Sequence, residues 1–253
     1  MRWIALSIAG LIFLPGIAKA NVFDLINQES RINSTIDSTT KFLLKRWASN
    51  EELNKHQPPQ VLPLAAGTKV YGACGERVTG DEVAGSSYCS PTNTIYLVPE
   101  QLKYFDDAFG TSAVAYVIAH EFGHATQKTF EFRTIGASQE LQADCLAGVF
   151  IKEGSQELNI NPNDVIAMSS AAHSIGSESH GTGKQRAYAL LSGMGYENDL
   201  CTNKEMQKLA DGHKDSLAQN AFKKVAQTRS LGGKTYTNSS PAYPKSITSA
   251  LGI

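Results

Sequence analysis

His120-Glu121-Phe122-Gly123-His124 is the stretch of this sequence whose residue types and spacing most directly imply chemistry. On a helix, residues four apart lie about 40° apart around the axis, so both imidazoles face one way and can grip one ion. Glu121 projects from the adjacent position. It is not a ligand, but it can hold and deprotonate a water activated by the metal. A catalytic zinc site takes three protein ligands and keeps one position open. The longer pattern H-E-x-x-H-x-x-G-x-x-H fails here, because Gln127 and Phe130 stand at its glycine and last histidine places. A glutamate on a following helix is the alternative. Glu140 stands sixteen residues after His124, and Asp144 follows it at i+4 on the same helical face. The expected centre is one Zn2+ per chain, bound by His120, His124 and Glu140. Asp144 would orient a ligand imidazole through its other N–H. Cys145 points away from that face and belongs to the core or to a disulfide.

These residues need helices to hold them. Thr111 or Ser112 can cap a helix through about Thr129, with Ala113, Val114, Val117, Ile118 and Phe122 on its apolar side. A second helix is expected over Ser138 to Lys152, with Leu141, Cys145, Leu146, Val149 and Phe150 as its buried stripe. Asn161-Pro162 reads as an N-cap and N1 proline opening a third helix, to about Ser174. Thr182 can cap a fourth, to about Met194. Upstream, apolar positions in residues 21–59 recur every three or four, as in one or two amphipathic helices, until Pro58-Pro59 stops them. Between Val61 and Val98 the apolar runs are short and separated by Gly, Ser, Asp and Pro, which predicts a small, antiparallel, hairpin-connected sheet. Residues 204–229 read as a polar helix and 230–253 as a disordered tail rich in Gly, Ser, Thr, Asn and Pro. The fold class is therefore α+β, with a zinc cleft between a small antiparallel sheet and a helical bundle in residues 60–203.

Composition narrows the function classes. The chain has 253 residues, 42% hydrophobic and 19% charged, with a formal net charge of −1. Collagen, wholesale disorder and a multi-span membrane protein are excluded. Near-neutral charge gives no electrostatic case for a nucleic-acid partner. Met1-Arg2, the apolar run Trp3 to Ile17 and Ala18-Lys19-Ala20 read as a secretory signal peptide, residues 1–20, cut after Ala20. The run is short for a membrane span, so no stable membrane insertion is expected after cleavage. Export to the periplasm or the medium gives the cysteines a meaning. Cys74, Cys89, Cys145 and Cys201 are an even set without C-x-x-C spacing. Of three possible pairings, the nearness of Cys74 to Cys89 favours Cys74–Cys89 and Cys145–Cys201. Oligomeric state is left open.

Ala119-His120-Glu121-Phe122-Gly123-His124, followed by Glu140-Leu141-Gln142-Ala143-Asp144-Cys145-Leu146-Ala147-Gly148, resembles the bacterial neutral zinc metallopeptidase family. His180-Gly181-Thr182-Gly183-Lys184-Gln185-Arg186 is similar to its H-G-T-x-x-Q-R motif, and the Cys74-Gly75, Tyr88-Cys89 and Gly195-Tyr196 pairs also fit its pattern. The resemblance covers about Val61 to Asn203. The H-E-x-x-H plus E-x-x-x-D arrangement is also similar to the prenyl-protease and heat-shock membrane peptidases, so a zincin-like fold is implied. The interval from His124 to Glu140 is short for the family and requires a tight turn around Arg133 to Gly136.

The resemblance implies a role for His180: to stabilise the developing oxyanion, or to bind zinc in a closed state. Without it, His180 reads equally as a surface or capping residue. Arg186 is expected to pair with Asp144. The strand Asn93 to Leu97 precedes the metal helix, and Asn93, Ile95 and Leu97 are assigned to hold an extended peptide along a sheet edge. The expected function is peptide-bond hydrolysis on a peptide or protein substrate outside the cytoplasm. Two alternatives stand beside it: a non-catalytic, zinc-stabilised envelope assembly factor, against which an intact Glu121 argues, and a zinc amidase acting on cell-wall peptides.

Overall fold

The computed structural model describes residues 22–65, 69–72, 74–78, 85–132, 134–230 and 247–252. The expected signal peptide, and residues 231–246 of the expected tail, lie outside them. The described residues open with helix α1 (Val22–Ser49) and a 3-10 turn (Leu53–Lys55). Five short strands follow: β1 (Gln60–Pro63), β2 (Lys69–Gly72), β3 (Gly75–Val78), β4 (Ser87–Cys89) and β5 (Thr94–Leu97). The rest is helical: α2 (Pro99–Phe109), α3 (Thr111–Thr129), α4 (Ala137–Glu153), α5 (Pro162–Ser174), α6 (Gly183–Gly193), α7 (Asn203–Ala210), α8 (Asp215–Ser230) and α9 (Ile247–Leu251). The architecture is α+β. No helix among the described residues is long and apolar enough to cross a membrane.

Helix α3 runs through the centre. Its apolar residues are not confined to one stripe, and nearly every side chain from Ser112 to Gln127 is buried, as befits a helix enclosed on all sides. Helix α1 packs on it through Ile32, Ile36, Phe42, Leu43 and Trp47, all buried at helical spacing. Trp47 meets Phe122 edge-on at 6.5 Å between ring centroids, and its indole N–H donates to the His56 carbonyl at 3.0 Å. Helix α4 lies on the other side of α3, and α6 on the far side of α4. Cys145 of α4 is disulfide-bonded to Cys201, and Cys74 to Cys89.

Four features differ from the sequence reading. The sheet is mixed, not antiparallel: β5 is central, parallel to β1 and antiparallel to β4. Short apolar runs carry no signal of strand direction. The β2–β3 hairpin is inserted between β1 and the β4–β5 hairpin, and the chain returns parallel. The α3 helix starts at Gly110, φ 89°, with no side-chain cap, rather than at a capping Thr111 or Ser112. The polar segment 204–229 is two helices, α7 and α8, separated by a turn at Gly212 (φ 79°). The end of the tail is ordered, because Ile247, Ala250 and Leu251 of α9 are buried and the Cys201 N–H donates to the Ala250 carbonyl at 2.9 Å. Three apolar residues in a polar tail were enough to dock it.

Candidate metal centre

Three side chains from two helices converge. Between His120 Nε2 and His124 Nε2 the distance is 3.2 Å. Glu140 Oε2 lies 3.3 Å from His120 Nε2, and Oε1 lies 3.6 Å from His124 Nε2. These are the separations expected of tetrahedral ligand atoms each about 2.05 Å from zinc, which stand about 3.3 Å apart. The donor set, two imidazoles and a carboxylate, suits zinc, and among the described residues it is the only group of three such side chains arranged to hold an ion.

The approach of α4 to α3 depends on Gly123. A Cβ there would lie 2.7 Å from the Ala143 carbonyl oxygen and 2.9 Å from its Cα. Only glycine lets the helices approach so closely, and that brings Glu140 within reach of both histidines. The connection is also tight, as the short interval demanded. The Phe132 N–H bonds back to the Gln127 carbonyl at 3.0 Å, with Glu131 in the left-handed region (φ 53°) that closes such helix ends.

Each imidazole is held from behind. His120 Nδ1 is 2.8 Å from Asp144 Oδ1. Asp144 is fully buried and also accepts from Tyr116 Oη at 2.6 Å, and from Arg186 Nε and Nη2 at 2.7 and 2.9 Å. Burial alone would raise the Asp144 pKa, but Arg186 and His120 outweigh it and hold the carboxyl below its usual range. Burial would lower the His120 pKa, yet the Asp144 charge and hydrogen bond raise it to about 10 before any metal is counted. His124 Nδ1 faces Gln127 Oε1 at 2.8 Å. Glu121 is buried next to this group. Burial pushes its pKa up, although both histidines and the Tyr88 main-chain N–H, which donates to it, act against the rise.

The site faces a cleft of about 620 Å³ that includes His120, Glu121, His124, Glu140, His180 and Arg186 in its lining. His180 is exposed in the loop between α5 and α6. Its Nδ1 lies 2.9 Å from Ser177 Oγ and 2.8 Å from Ser179 Oγ. The strand assignment needs correction. Both edges of β5 are paired; Ile95 and Leu97 are 0% and 1% exposed. Asn93 serves a turn (φ 50°), accepting from Tyr88 Oη and donating to the Gln57 and Pro58 carbonyls. Among the described residues β4 is the edge strand at the cleft, where Ser86, Ser87 and Tyr88 line it and the Tyr88 N–H is held by Glu121. The buried run of β5 signals a central strand, and that should have disqualified it.

Two partners of the histidines were missed. Tyr116 stands one turn before His120, and Gln127 three residues after His124, both on the ligand face. That spacing was the available signal.

A family model described as "Putative neutral zinc metallopeptidase" matches residues 24–189. The chain belongs to that family. The match begins in α1, upstream of the motif-bearing region, and ends inside α6. The uncharacterized protein YpfJ of Escherichia coli strain K12 is 28% identical, over 63% of this chain and 66% of its own. YpfJ of Escherichia coli O6:H1, strain CFT073, is similar to the same extent. The chain thus spans just under two thirds of the length of these relatives. No solved structure matches it.

Proposed function

We propose that this metallopeptidase-family chain is an exported zinc peptidase, cleaving within peptides rather than only at their ends. The observation that carries the reading is the convergence of His120, His124 and Glu140 at 3.2–3.6 Å with a buried carboxyl, Glu121, beside them. Zinc bound there would supply Lewis acidity to a carbonyl and activate water near neutral pH. Glu121 takes the proton of the attacking water and returns it to the leaving amine. Its raised pKa suits that exchange, since a shuttle works best when its pKa approaches the working pH. Asp144, itself held by Arg186 and Tyr116, keeps His120 turned to the metal. The Ser177 and Ser179 hydroxyls lie within hydrogen-bond reach of His180 Nδ1, and donation from either one leaves the proton on Nε2 for the developing oxyanion. An extended substrate lies along the cleft-side edge of β4, pairing with main-chain groups other than the Tyr88 N–H that Glu121 holds, and such pairing tolerates varied side chains. Two disulfides and the leader-like first twenty residues support a periplasmic or secreted location.

The test is digestion of casein and of peptidoglycan by the purified chain, with and without chelator, beside Glu121→Gln. Casein fragments that vanish with chelator, and with Glu121→Gln at undiminished zinc content, are expected. A base loss of this kind costs ~10²–10⁴ in rate. Wild-type turnover by Glu121→Gln refutes the mechanism, and cleavage of peptidoglycan alone moves the function to an amidase.

A further inference from the structure

We propose that Gln127 and Gln142 form an amide relay that sets the tautomer and orientation of His124, anchored at the main-chain carbonyl of Cys201. The proposal rests on the metal-centre reading above and concerns how that centre is held. Both glutamines are buried, at 3% and 0% exposure, where a polar side chain needs a structural reason. Their hydrogen bonds form one connected series. Gln142 Nε2 donates to the Cys201 carbonyl at 2.8 Å and to Asn203 Oδ1 at 2.7 Å. Gln142 Oε1 accepts from Gln127 Nε2 at 3.0 Å. Gln127 Nε2 also donates to the Gln139 carbonyl at 2.7 Å. Gln127 Oε1 then meets His124 Nδ1 at 2.8 Å.

The direction of the series is forced. A main-chain carbonyl only accepts, so the amide nitrogen of Gln142 must face Cys201 and its oxygen must face Gln127. The Gln139 carbonyl independently turns the nitrogen of Gln127 away from His124. What remains toward His124 is an oxygen, which cannot donate. Nδ1 must therefore carry the proton, and the Nε2 lone pair is left pointing at His120 Nε2 and Glu140, where an ion would sit. His120 is oriented by a charged carboxylate and His124 by neutral amides, so the two ligands are held by different chemistry.

The relay also carries a structural dependence. It crosses from α3 to α4 to the segment before α7. Its anchor, Cys201, is fixed by the disulfide to Cys145 and by the N–H bond to Ala250 of α9. The packing of the C-terminal helix thereby reaches the metal centre through two side chains. Gln127 and Gln142 are positioning residues: Gln127 reaches the cleft lining, but its amide is committed to His124, Gln139 and Gln142.

Two measurements on the full chain test this. In the first, zinc dissociation constants are obtained by chelator competition for wild type, Gln127→Leu, Gln142→Leu and the double variant. Loss of a partner that orients a ligand weakens binding by ~10–100-fold. Elements in series predict that the double variant is no weaker than Gln127→Leu alone. In the second, 15N imidazole shifts of the zinc-free chain in mildly alkaline buffer report the tautomer. His124 is expected as Nδ1–H in wild type and in Gln142→Leu, where the Gln139 carbonyl still orients Gln127, and shifted towards Nε2–H in Gln127→Leu. Unchanged zinc affinity in folded Gln142→Leu, additive losses, or an Nε2–H His124 in wild type each overturn the relay. If Gln142→Leu does not fold, the wild-type tautomer decides. A wild-type chain that binds no zinc refutes the metal centre instead, and the tautomer still reads the relay.

Discussion

Asp144→Asn separates what holds the fold from what holds the metal. The wild-type carboxylate is 0% exposed and takes four hydrogen bonds, from Tyr116 Oη, His120 Nδ1, Arg186 Nε and Arg186 Nη2. Asparagine keeps the shape but offers one accepting oxygen. Its NH2 group must confront one of those donors, and Arg186, itself 3% exposed, loses its counter-charge. Breaking a buried ion pair from one side costs ~3–5 kcal/mol. The retained oxygen places this variant at the lower end, about 3 kcal/mol, or a fall in Tm of about 6–12 °C for a chain of this size. Zinc affinity should fall by up to ~10–100-fold, because His120 exchanges a charged orienting acceptor for a neutral one.

Both effects could come from loosening alone, so the informative comparison is Asp144→Asn/Arg186→Met. Removing both charges relieves the uncompensated guanidinium, and much of the lost stability should return, since apolar replacements of buried pairs are often neutral. His120 would still lack its carboxylate, so zinc binding should stay weak. Calorimetric melting and chelator competition on the same samples give both numbers. Recovery of zinc affinity together with stability in the double variant, or wild-type zinc affinity in Asp144→Asn, would refute the reasoning.

Glu140→Ala should lose zinc outright, because two imidazoles alone hold it poorly; retained metal after dialysis would reassign the third ligand. Gly123→Ala forces α4 away from α3 at Ala143, and overpacking of this kind costs about 1–3 kcal/mol; the chelator should strip zinc from it faster than from wild type. His180→Ala should leave zinc content unchanged and lower kcat by roughly 10²–10³, the loss for one oxyanion donor, whereas a rise in activity would mean that His180 occupies the open position at rest. Replacing Cys145 and Cys201 together by Ser opens a 56-residue loop and should cost about 4 kcal/mol in the chain-entropy picture, measured by urea unfolding.

The helices that carry the site were readable because their signals are local. Asn161, followed by Pro162, and Thr182 cap α5 and α6 as expected, and each also closes a capping box, with Asp164 and Gln185 respectively. His120, His124, Glu140 and Asp144 obey helical periodicity, so their faces followed from arithmetic. Arg186 reached Asp144 as expected. What escaped was set by distant chain. The direction of β1 is fixed by pairing with β5 across more than thirty residues, and no short window holds that information. The role of β4 depends on which strand ends at the sheet edge. Gln142 looks from sequence like one polar residue among apolar neighbours; its partners at Cys201 and Asn203 lie some sixty residues away.

The six residues Glu140 to Cys145 show why one motif can be so dense. Helix α4 is sandwiched between α3 and α6, so of these residues only Glu140, which reaches the cleft, keeps any exposure. Glu140 points at the histidines and Asp144 braces one of them. Leu141 fills the space under Gly181, whose φ of 85° and lack of a Cβ let the His180 loop settle on it. Gln142 meets Gln127 and Cys201. Ala143 presents its backbone to Gly123, and a larger residue at position 123 would strain the helix contact that gathers the ligands. Cys145 ties the helix to the segment that anchors Gln142. Each position thus constrains the metal centre from a different direction. The density of the motif follows from burial on two sides, together with three separate tasks: binding an ion, orienting its ligands and fixing the helix that carries them.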